Sequence, residues 1–328
     1  MKAYTLRRYG TPADLAVAEV DRPAAAAGEV LVRVHASSVN PYDWHYLRGE
    51  PYVARLMLGA AGLRRPKIGI LGCDMAGQVE AVGAGVTGFR PGDDVFALVA
   101  RGGGFAEYAA VPAGLLAPKP ANLSYEQAAA VPMAAVTALL AVRDDGRVQG
   151  GQRVLVNGAS GGVGTFAVQL ARAYGAEVTG VCGPRNVDLV RSLGAAEVID
   201  YSTADFTRDA RRYDVLLDIA GSRPLPACRR VLEPRGTFVA VGGPAGRWLQ
   251  PAGHVLAAVA RGLFVSQRVV VTEARKAERR DLLALSELLG NGTITPVIDR
   301  RYGFADLPAA IAYQEQGHAA GKVVVSGW

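Results

Sequence analysis

Cysteine is scarce in this chain: 328 residues contain only Cys73, Cys182 and Cys228. They form neither a close pair nor a metal-type cluster, so the sequence indicates no disulfide framework and no zinc module. Long apolar runs are missing too. The most apolar long stretch, residues 252–271, is interrupted by His254, Arg261, Gln267 and Arg268, which argues against a membrane span. The opening residues, Met1 to Tyr9, lack the apolar core of a signal peptide. Glycine (40) and proline (18) are frequent but scattered, and no linker, low-complexity tract or repeat emerges from them. The net charge of +6 is spread along the chain. Its densest basic patch, residues 274–280, contains Glu278 and precedes a helical pattern. That fits a solvated helix start better than a nucleic-acid site, although a basic balance helps attract an anionic cofactor. These absences imply a soluble protein of a reducing, cytoplasmic compartment, with neither nucleic acid nor membrane as partner.

What the chain does contain is a strand–turn–helix corner. Val154, Leu155 and Val156 form an apolar run of buried-strand type; Asn157 to Gly164 then breaks it with four glycines. Phe166, Val168, Leu170 and Ala171 continue in a helical pattern. This order is that of a phosphate-binding corner in a dinucleotide fold. Gly161 leaves room for backbone to approach a pyrophosphate, and Gly164 lets the helix pack close to the sheet. Ser160, Gly162 and Val163 complete the cradle, where unpaired N–H groups and the positive helix end face the anion. On the glycines alone, a tight turn between core elements explains the pattern equally well. The residues that follow favour the dinucleotide reading. Strand patterns recur at Glu177–Cys182, Val198–Asp200, Asp214–Asp218 and Thr237–Val241, with a helical segment at Asn186–Leu193. Such alternation predicts an α/β fold with a doubly wound parallel sheet.

The first 122 residues have a different texture. Strand patterns at Val30–His35, Gly77–Gly83, Val95–Val99 and Gly104–Val111 are separated by Gly/Pro turns, predicting a compact, barrel-like β domain. Ser124 with Gln127 has capping-box spacing, and a helix over Ala128–Val142 is expected, kinked at Pro132. Further on, Phe264–Thr272 is strongly β-prone, and an edge strand there, near Phe264–Val271, offers a surface for a homodimer. A helix is expected at Asp281–Leu289, then strands at Thr293–Ile298 and Lys322–Ser326 that return to the β domain. The expected domains are therefore 1–122 with 272–328, and 123–271.

The chain resembles the medium-chain dehydrogenase/reductase superfamily, and within it the zinc-free NADPH:quinone oxidoreductase (zeta-crystallin-like) branch. Ser38–Asp43, Leu71–Gly77, Phe89–Asp93, Gly104–Tyr108, Asn157–Gly164, Gly194–Tyr201 and Gly321–Val324 carry the likeness. It implies a GroES-like β-barrel catalytic domain plus a Rossmann NADP-binding domain. Zinc-dependent relatives place a cysteine where this chain reads Asn40 to Asp43, and Gly-His-Glu where it reads Gly72, Cys73 and Asp74. Two ligands are thus lost or changed, and the resemblance implies no zinc.

The cofactor expected is NADPH. The second strand of the dinucleotide domain runs into Val181–Asn186 with no carboxylate for the ribose hydroxyls. Arg185 there can face a 2′-phosphate with a planar fork of donors, and the resemblance sets Tyr201 against the same phosphate. It also implies that Thr137 lies near the nicotinamide, Ala220 and Gly221 beneath the adenosine side, and Gly242 and Gly243 near the nicotinamide. Lys322 matches a lysine that reaches the cofactor phosphates.

Without a metal to polarise a simple carbonyl, the expected acceptor is a quinone or α,β-unsaturated carbonyl, whose conjugation spreads the incoming charge onto an oxygen that donors can stabilise. Asn40 and Asp43 match polar active-site positions of the branch. His45 falls where many relatives carry tyrosine and others lysine; an imidazole there can donate a hydrogen bond or relay a proton near neutral pH, or simply pack. Tyr52, Leu56 and Met57 either line a hydrophobic small-molecule pocket or pack as a short lid. His35, His254 and His318 have no evident partners and read as structural. Two other functions stay open: a zinc-free NADP-dependent alcohol or aldehyde oxidoreductase, and an NADPH-binding redox sensor or scaffold without turnover.

Overall fold

A computed structural model describes residues 1–52, 55, 62, 65–243, 246, 252–262, 265–274 and 278–328. The chain divides into two units, one of Met1–Met133, Glu278–Gly292 and Pro296–Trp328, the other of Ala134–Ala277 and Thr293–Thr295.

The first unit opens with β1 (Lys2–Thr5) paired antiparallel to β2 (Ala16–Glu19). The valine-rich β3 (Glu29–Val39) is its longest strand, and Val30, Val32 and Val34 alternate into a core with Val79 and Val95. Helix α1 (Pro41–Arg48) follows at once. Asn40 stands at its N-cap in extended conformation, Pro41 takes the first helical position, and Asp43 closes a capping box. Gly49, at φ 61°, ends the helix in the left-handed region. Strands β4 (Asp74–Val82), β5 (Asp94–Leu98), β6 (Tyr108–Pro112) and β7 (Leu116–Pro118) complete this stretch.

Ser124 then caps α2 (Tyr125–Ala129), with the Gln127 side chain accepting from the Ser124 N–H as the spacing predicts. The Tyr125 ring stacks on His35 of β3 and its hydroxyl donates to Asp94 of β5 at 2.5 Å. These contacts tie α2 to the first unit, so the division falls after Met133 rather than near residue 122. The long helix expected here is two pieces. Pro132 opens α3 (Pro132–Leu139), which runs into a wider π turn over Leu140–Asp145.

The second unit alternates as predicted: β8 (Arg153–Asn157), α4 (Gly162–Ala173), β9 (Glu177–Cys182), α5 (Val187–Ser192), β10 (Glu197–Asp200), β11 (Tyr213–Asp218), α6 (Leu225–Cys228), β12 (Leu232–Ala240), α7 (Ala252–Gly262) and β13 (Arg268–Val271). The sheet order is β10-β9-β8-β11-β12-β13, every pair parallel. Its central strands are buried on both faces, as a parallel sheet requires; Val154, Leu155 and Val156 have no exposure at all. The strand order reverses between β8 and β11, the switch point at which such sheets hold dinucleotides. Strand β13 is the expected edge strand; Phe264 lies outside the described residues.

The chain returns through α8 (Arg279–Gly290), β14 (Ile298–Gly303), α9 (Leu307–Glu315) and β15 (Lys322–Ser326). Residues 293–297 are not the strand their pattern suggested. The side-chain amide of Gln169 takes both backbone groups of Thr295, at 2.9 Å and 2.8 Å, holding 293–295 in the second unit. Pro296 has no N–H for a ladder, and pairing begins at Ile298. Strand β15 lies between β14 and β3. Its Val323, Val324 and Val325 are fully buried, each contributing roughly 1.5–3 kcal/mol, and they fix the position of Lys322 beside them.

Candidate active site

In the first unit the register brings four polar residues to one point. Ser38 of β3 pairs with Asp74 of β4, and Val39 pairs with Val323 of β15. The next residues along, Asn40 and Lys322, therefore meet beside Asp74. The Lys322 Nζ donates to Asn40 Oδ1 at 2.5 Å and to Asp74 Oδ2 at 3.1 Å. Asp74 Oδ2 also accepts from Ser38 Oγ at 2.6 Å and Asn40 Nδ2 at 2.9 Å, while its Oδ1 accepts from the Met133 N–H at 2.7 Å. Asp74 and Lys322 are 0% and 3% exposed. Such burial is sustained only by pairing and saturated hydrogen bonding, and the acceptor atoms of Asp74 are amply used.

Asp43 lies beneath this pair. Its Oδ2 accepts from the Asn40 N–H at 2.7 Å and its Oδ1 from the Gly72 N–H at 3.2 Å. Complete burial pushes its carboxyl up to about 7, reinforced by the charge of Asp74; the two N–H donors and the Lys322 ammonium pull the other way. Cys73 is buried against the same group, and loss of solvent drives its thiol far up, with Asp43 and Asp74 adding to the effect. It is held as a neutral thiol.

His45 does not join this network. Its ring stacks on Trp44 at 3.5 Å between centroids, and its Nδ1 is buried without a hydrogen-bond partner. Burial lowers its pKa to about 4, so the imidazole is neutral across the physiological range and does not titrate near pH 7 as a relay there would. Tyr52 faces Arg55, whose guanidinium sits over its ring and that of Tyr9 and donates to the Gly49 and Arg48 carbonyls. Leu56 and Met57 lie outside the described residues.

In the second unit the glycine corner has the form its sequence suggests. A Cβ on Gly164 would lie 2.0 Å from the Gly158 carbonyl oxygen, so only glycine lets α4 start this close to the turn. Gly161 occupies the N-cap with no side-chain cap; the first-turn N–H groups of Gly162, Val163 and Gly164 are the ones a helix leaves without internal partners. Past β9, Asn186 Nδ2 donates to Ser160 Oγ at 3.1 Å, tying the turn that carries the exposed Arg185 to the glycine corner. Tyr201, 58% exposed, holds its hydroxyl over Gly183, where a Cβ would come within 2.9 Å of it. Arg185 and Tyr201 therefore stand at the ends of neighbouring strands, β9 and β10. Thr137 is buried on α3, and Ala220, Gly221, Gly242 and Gly243 follow the ends of β11 and β12.

The switch point also holds a polar group. Asn157 Nδ2 donates to Asp218 Oδ1 at 2.7 Å, the Gly221 N–H donates to the same oxygen at 3.1 Å, and His254 Nε2 stands 3.4 Å from Asp218 Oδ2. His254 thus has a partner that its sequence neighbours did not reveal. The hydrogen bond to Asp218 raises its pKa above the ordinary value, against the opposing effect of burial.

Comparison with known proteins agrees with this arrangement. A family profile described as alcohol dehydrogenase GroES-like domain matches residues 26–121, and one described as zinc-binding dehydrogenase matches 193–325. The chain is 32% identical to a chloroplast envelope quinone oxidoreductase homolog of Arabidopsis thaliana, over 99% of this chain and 98% of that protein. It is 35% identical to the mitochondrial NAD(P)H oxidoreductase RTN4IP1 of Mus musculus, over 91% and 81%. The chain belongs to the medium-chain dehydrogenase/reductase superfamily. Among solved structures, the quinone oxidoreductase from Coxiella burnetii superposes with a TM-score of 0.85 at 26% identity, covering 100% of this chain and 99% of that one. A structure described as an NAD-dependent alcohol dehydrogenase gives 0.85 at 27%, with both chains fully covered. As a member of this superfamily the protein is an oxidoreductase that uses a nicotinamide cofactor.

Zinc is the other group the superfamily suggests, and the residues present do not fit it. Asn40 has its side-chain oxygen on the Lys322 ammonium, Cys73 is held protonated, and a fixed cation already stands at the cluster. Among the described residues no group of three or more His, Cys, Asp or Glu is arranged to hold a metal. Lys322 has partners beyond those the resemblance implies. Its ammonium is engaged by Asn40 and Asp74 within the first unit, a contact that no local pattern in the sequence announces.

Proposed function

We propose that the protein is a zinc-independent oxidoreductase that transfers hydride from NADPH to a quinone or an α,β-unsaturated carbonyl. The carrying observation is the Asn40–Asp74–Lys322 cluster, in which an ammonium is the only positive charge and no metal ligand set exists among the described residues. A single ammonium polarises an isolated carbonyl less than a dipositive metal does, which favours acceptors that delocalise the incoming charge. The quinone oxidoreductase names of the relatives point the same way.

NADPH over NADH rests on the end of β9. No carboxylate stands in residues 183–187 after Cys182, while Arg185 and Tyr201 follow the ends of the neighbouring strands β9 and β10. Bound NADPH supplies the hydride; the chain's own residues hold its phosphates at the α4 N-terminus and its 2′-phosphate by Arg185. An Arg185→Glu variant is expected to lose at least tenfold in kcat/KM with NADPH, with little change for NADH. Equal loss with both cofactors, or a wild-type preference for NADH, would refute this part of the proposal.

An alcohol or aldehyde oxidoreductase is the second reading, favoured by the likeness to the NAD-dependent alcohol dehydrogenase structure. A panel of quinones, enones, aldehydes and saturated alcohols, followed by nicotinamide absorbance, separates the two. Activity on alcohols alone would overturn the leading reading, as would stoichiometric zinc in protein purified without chelator. We also propose a homodimer through β13, a parallel edge strand with Val269, Val270 and Val271 only half-buried. The three cysteines, each buried and free, suit a reducing compartment such as the cytoplasm.

A further inference from the structure

The residues expected to carry the chemistry of the first unit differ in what they have left to offer. Asn40 has committed its amide oxygen to Lys322 and its Nδ2 protons to Asp74 and the Ser38 carbonyl. Asp43 has both oxygens on backbone N–H groups, and Asp74 is an acceptor with four donors already around it. Lys322 is different. An ammonium has three N–H donors, and among the described residues two are taken, by Asn40 and Asp74. Its side chain is 4% exposed, so bulk water does not readily use the third. A buried cation with one donor unspent, braced by a carboxylate and an amide on its other two, is preorganised to meet a negative oxygen.

We infer that Lys322 is the residue that hydrogen-bonds the acceptor's oxygen as negative charge develops on it, and that this position takes enolates and phenolates. The inference rests on the proposed reductase activity. In an enone, hydride arrives at the β-carbon with its electron pair. The carbon–carbon π pair shifts to form the new double bond of the enolate, and the carbonyl π pair moves onto oxygen. Lys322 donates its third N–H to that oxygen without giving up the proton. A proton from solvent then reaches the α-carbon, and the saturated ketone leaves. For a quinone the hydride reaches one carbonyl oxygen, the ring π pairs shift to make the ring aromatic, the other oxygen becomes a phenolate facing the same donor, and one solvent proton yields the hydroquinone. Asn40 and Asp74 act as positioning residues for the ammonium. This role differs from a contact between Lys322 and the cofactor phosphates, and the two make opposite demands on cofactor binding.

The test is Lys322→Met, which keeps length and removes charge, together with Lys322→Met/Asp74→Asn, which removes both charges and leaves no unpaired buried ion should the single variant unfold. The first readout needs neither cofactor nor turnover: the ionisation of 4-nitrophenol bound to the protein, followed by its absorbance. Wild type is expected to ionise the bound phenol at lower pH than in free solution, and both variants to abolish that displacement. The second is steady-state reduction, where a drop of roughly 10²–10³-fold in kcat for quinones or enones is expected, with the dissociation constant for NADPH unchanged within threefold. A wild type that leaves the phenol's ionisation unmoved would overturn the inference. So would variants that still lower it, or variants that weaken NADPH tenfold while kcat holds. A wild type that shifts the phenol but reduces neither quinone nor enone would leave Lys322 in place and remove the proposed activity instead.

Discussion

Each unit buries a carboxylate beside a base, and the two pairs are built for different ends. Asp74 meets Lys322 at 3.1 Å, and the pair is enclosed by Ser38, Asn40 and the Met133 N–H. Asp218 meets His254, whose charge depends on pH, at 3.4 Å, with Asn157 and Gly221 on its other oxygen. The first pair lies where three strands and a helix cap converge, so register fixes it. The second joins the end of one strand to a helix of another crossover. A multiply braced ion pair is held in one arrangement by its surroundings. A long contact to an imidazole is one that protonation can tighten or release. The difference is testable by removing each member in turn.

Asp74→Ala should be the most damaging change. It leaves the Lys322 ammonium uncompensated and takes the acceptor from Ser38, Asn40 and the Met133 N–H. Loss of one partner of a buried pair costs about 3–5 kcal/mol, a large share of the margin of most domains. Urea unfolding of the variant would measure it. A loss below about 1 kcal/mol would mean the pair is far more hydrated than its burial implies, and the contrast with Asp218 would collapse.

Asp43 gives an effect nearly as large, expressed through pH. Its pKa rises from 3.8 to about 7 on folding, chiefly because burial disfavours the charge, with Asp74 on β4 adding to this and Lys322 on β15 opposing it. The folded state then binds the proton more tightly than the unfolded chain. The corresponding stability is fully present below pH 3.8 and is lost as the pH rises towards 7. At roughly 1.4 kcal/mol per pH unit this amounts to about 4 kcal/mol. Asp43→Asn should flatten that part of the stability profile even if it lowers the whole curve, since the amide keeps one acceptor where the carboxyl has two. A variant with an unaltered slope between pH 4 and 7 would assign the proton to another member of the cluster.

The two regions also differ in how far the sequence exposes them. The second unit was legible because each of its devices is local: the run of Val154 to Val156, the glycines to Gly164, the strand at Glu177–Cys182. Buried parallel strands and close helix starts impose those residue types within a few positions. The cluster of the first unit joins residues 40, 74 and 322, and no periodicity links them. Asn40 and Asp43 were found through resemblance; the pairing of Lys322 with Asn40 and Asp74 depends on the register of β15 against β3 and of β3 against β4. Helix α1 is hard to read from the sequence despite Pro41 at its start and Asp43 at capping-box spacing, because it follows directly on the long strand β3. The partner of His254 is hidden for a related reason, since Asp218 is far away in sequence and β11 and α7 meet only in the folded unit.

His254 should give the smallest effect, and its sign is what sharpens the comparison. Hydrogen bonding to Asp218 raises the imidazole above its ordinary 6.5, with burial opposing. Its contribution to stability is therefore present in full below pH 6.5 and lost as the pH rises through the folded value. At 3.4 Å the contact is long, and about 0.5–1 kcal/mol is a suitable magnitude. His254→Ala should accordingly lose about that much at pH 6 and almost nothing at pH 9, whereas Asp74→Ala should cost far more at both values because four donors lose their acceptor. Parallel thermal unfolding of the two variants at the two pH values makes the distinction. If the His254 loss is independent of pH, the ring contributes by packing alone, and α7 is held at the switch point without electrostatic help from Asp218.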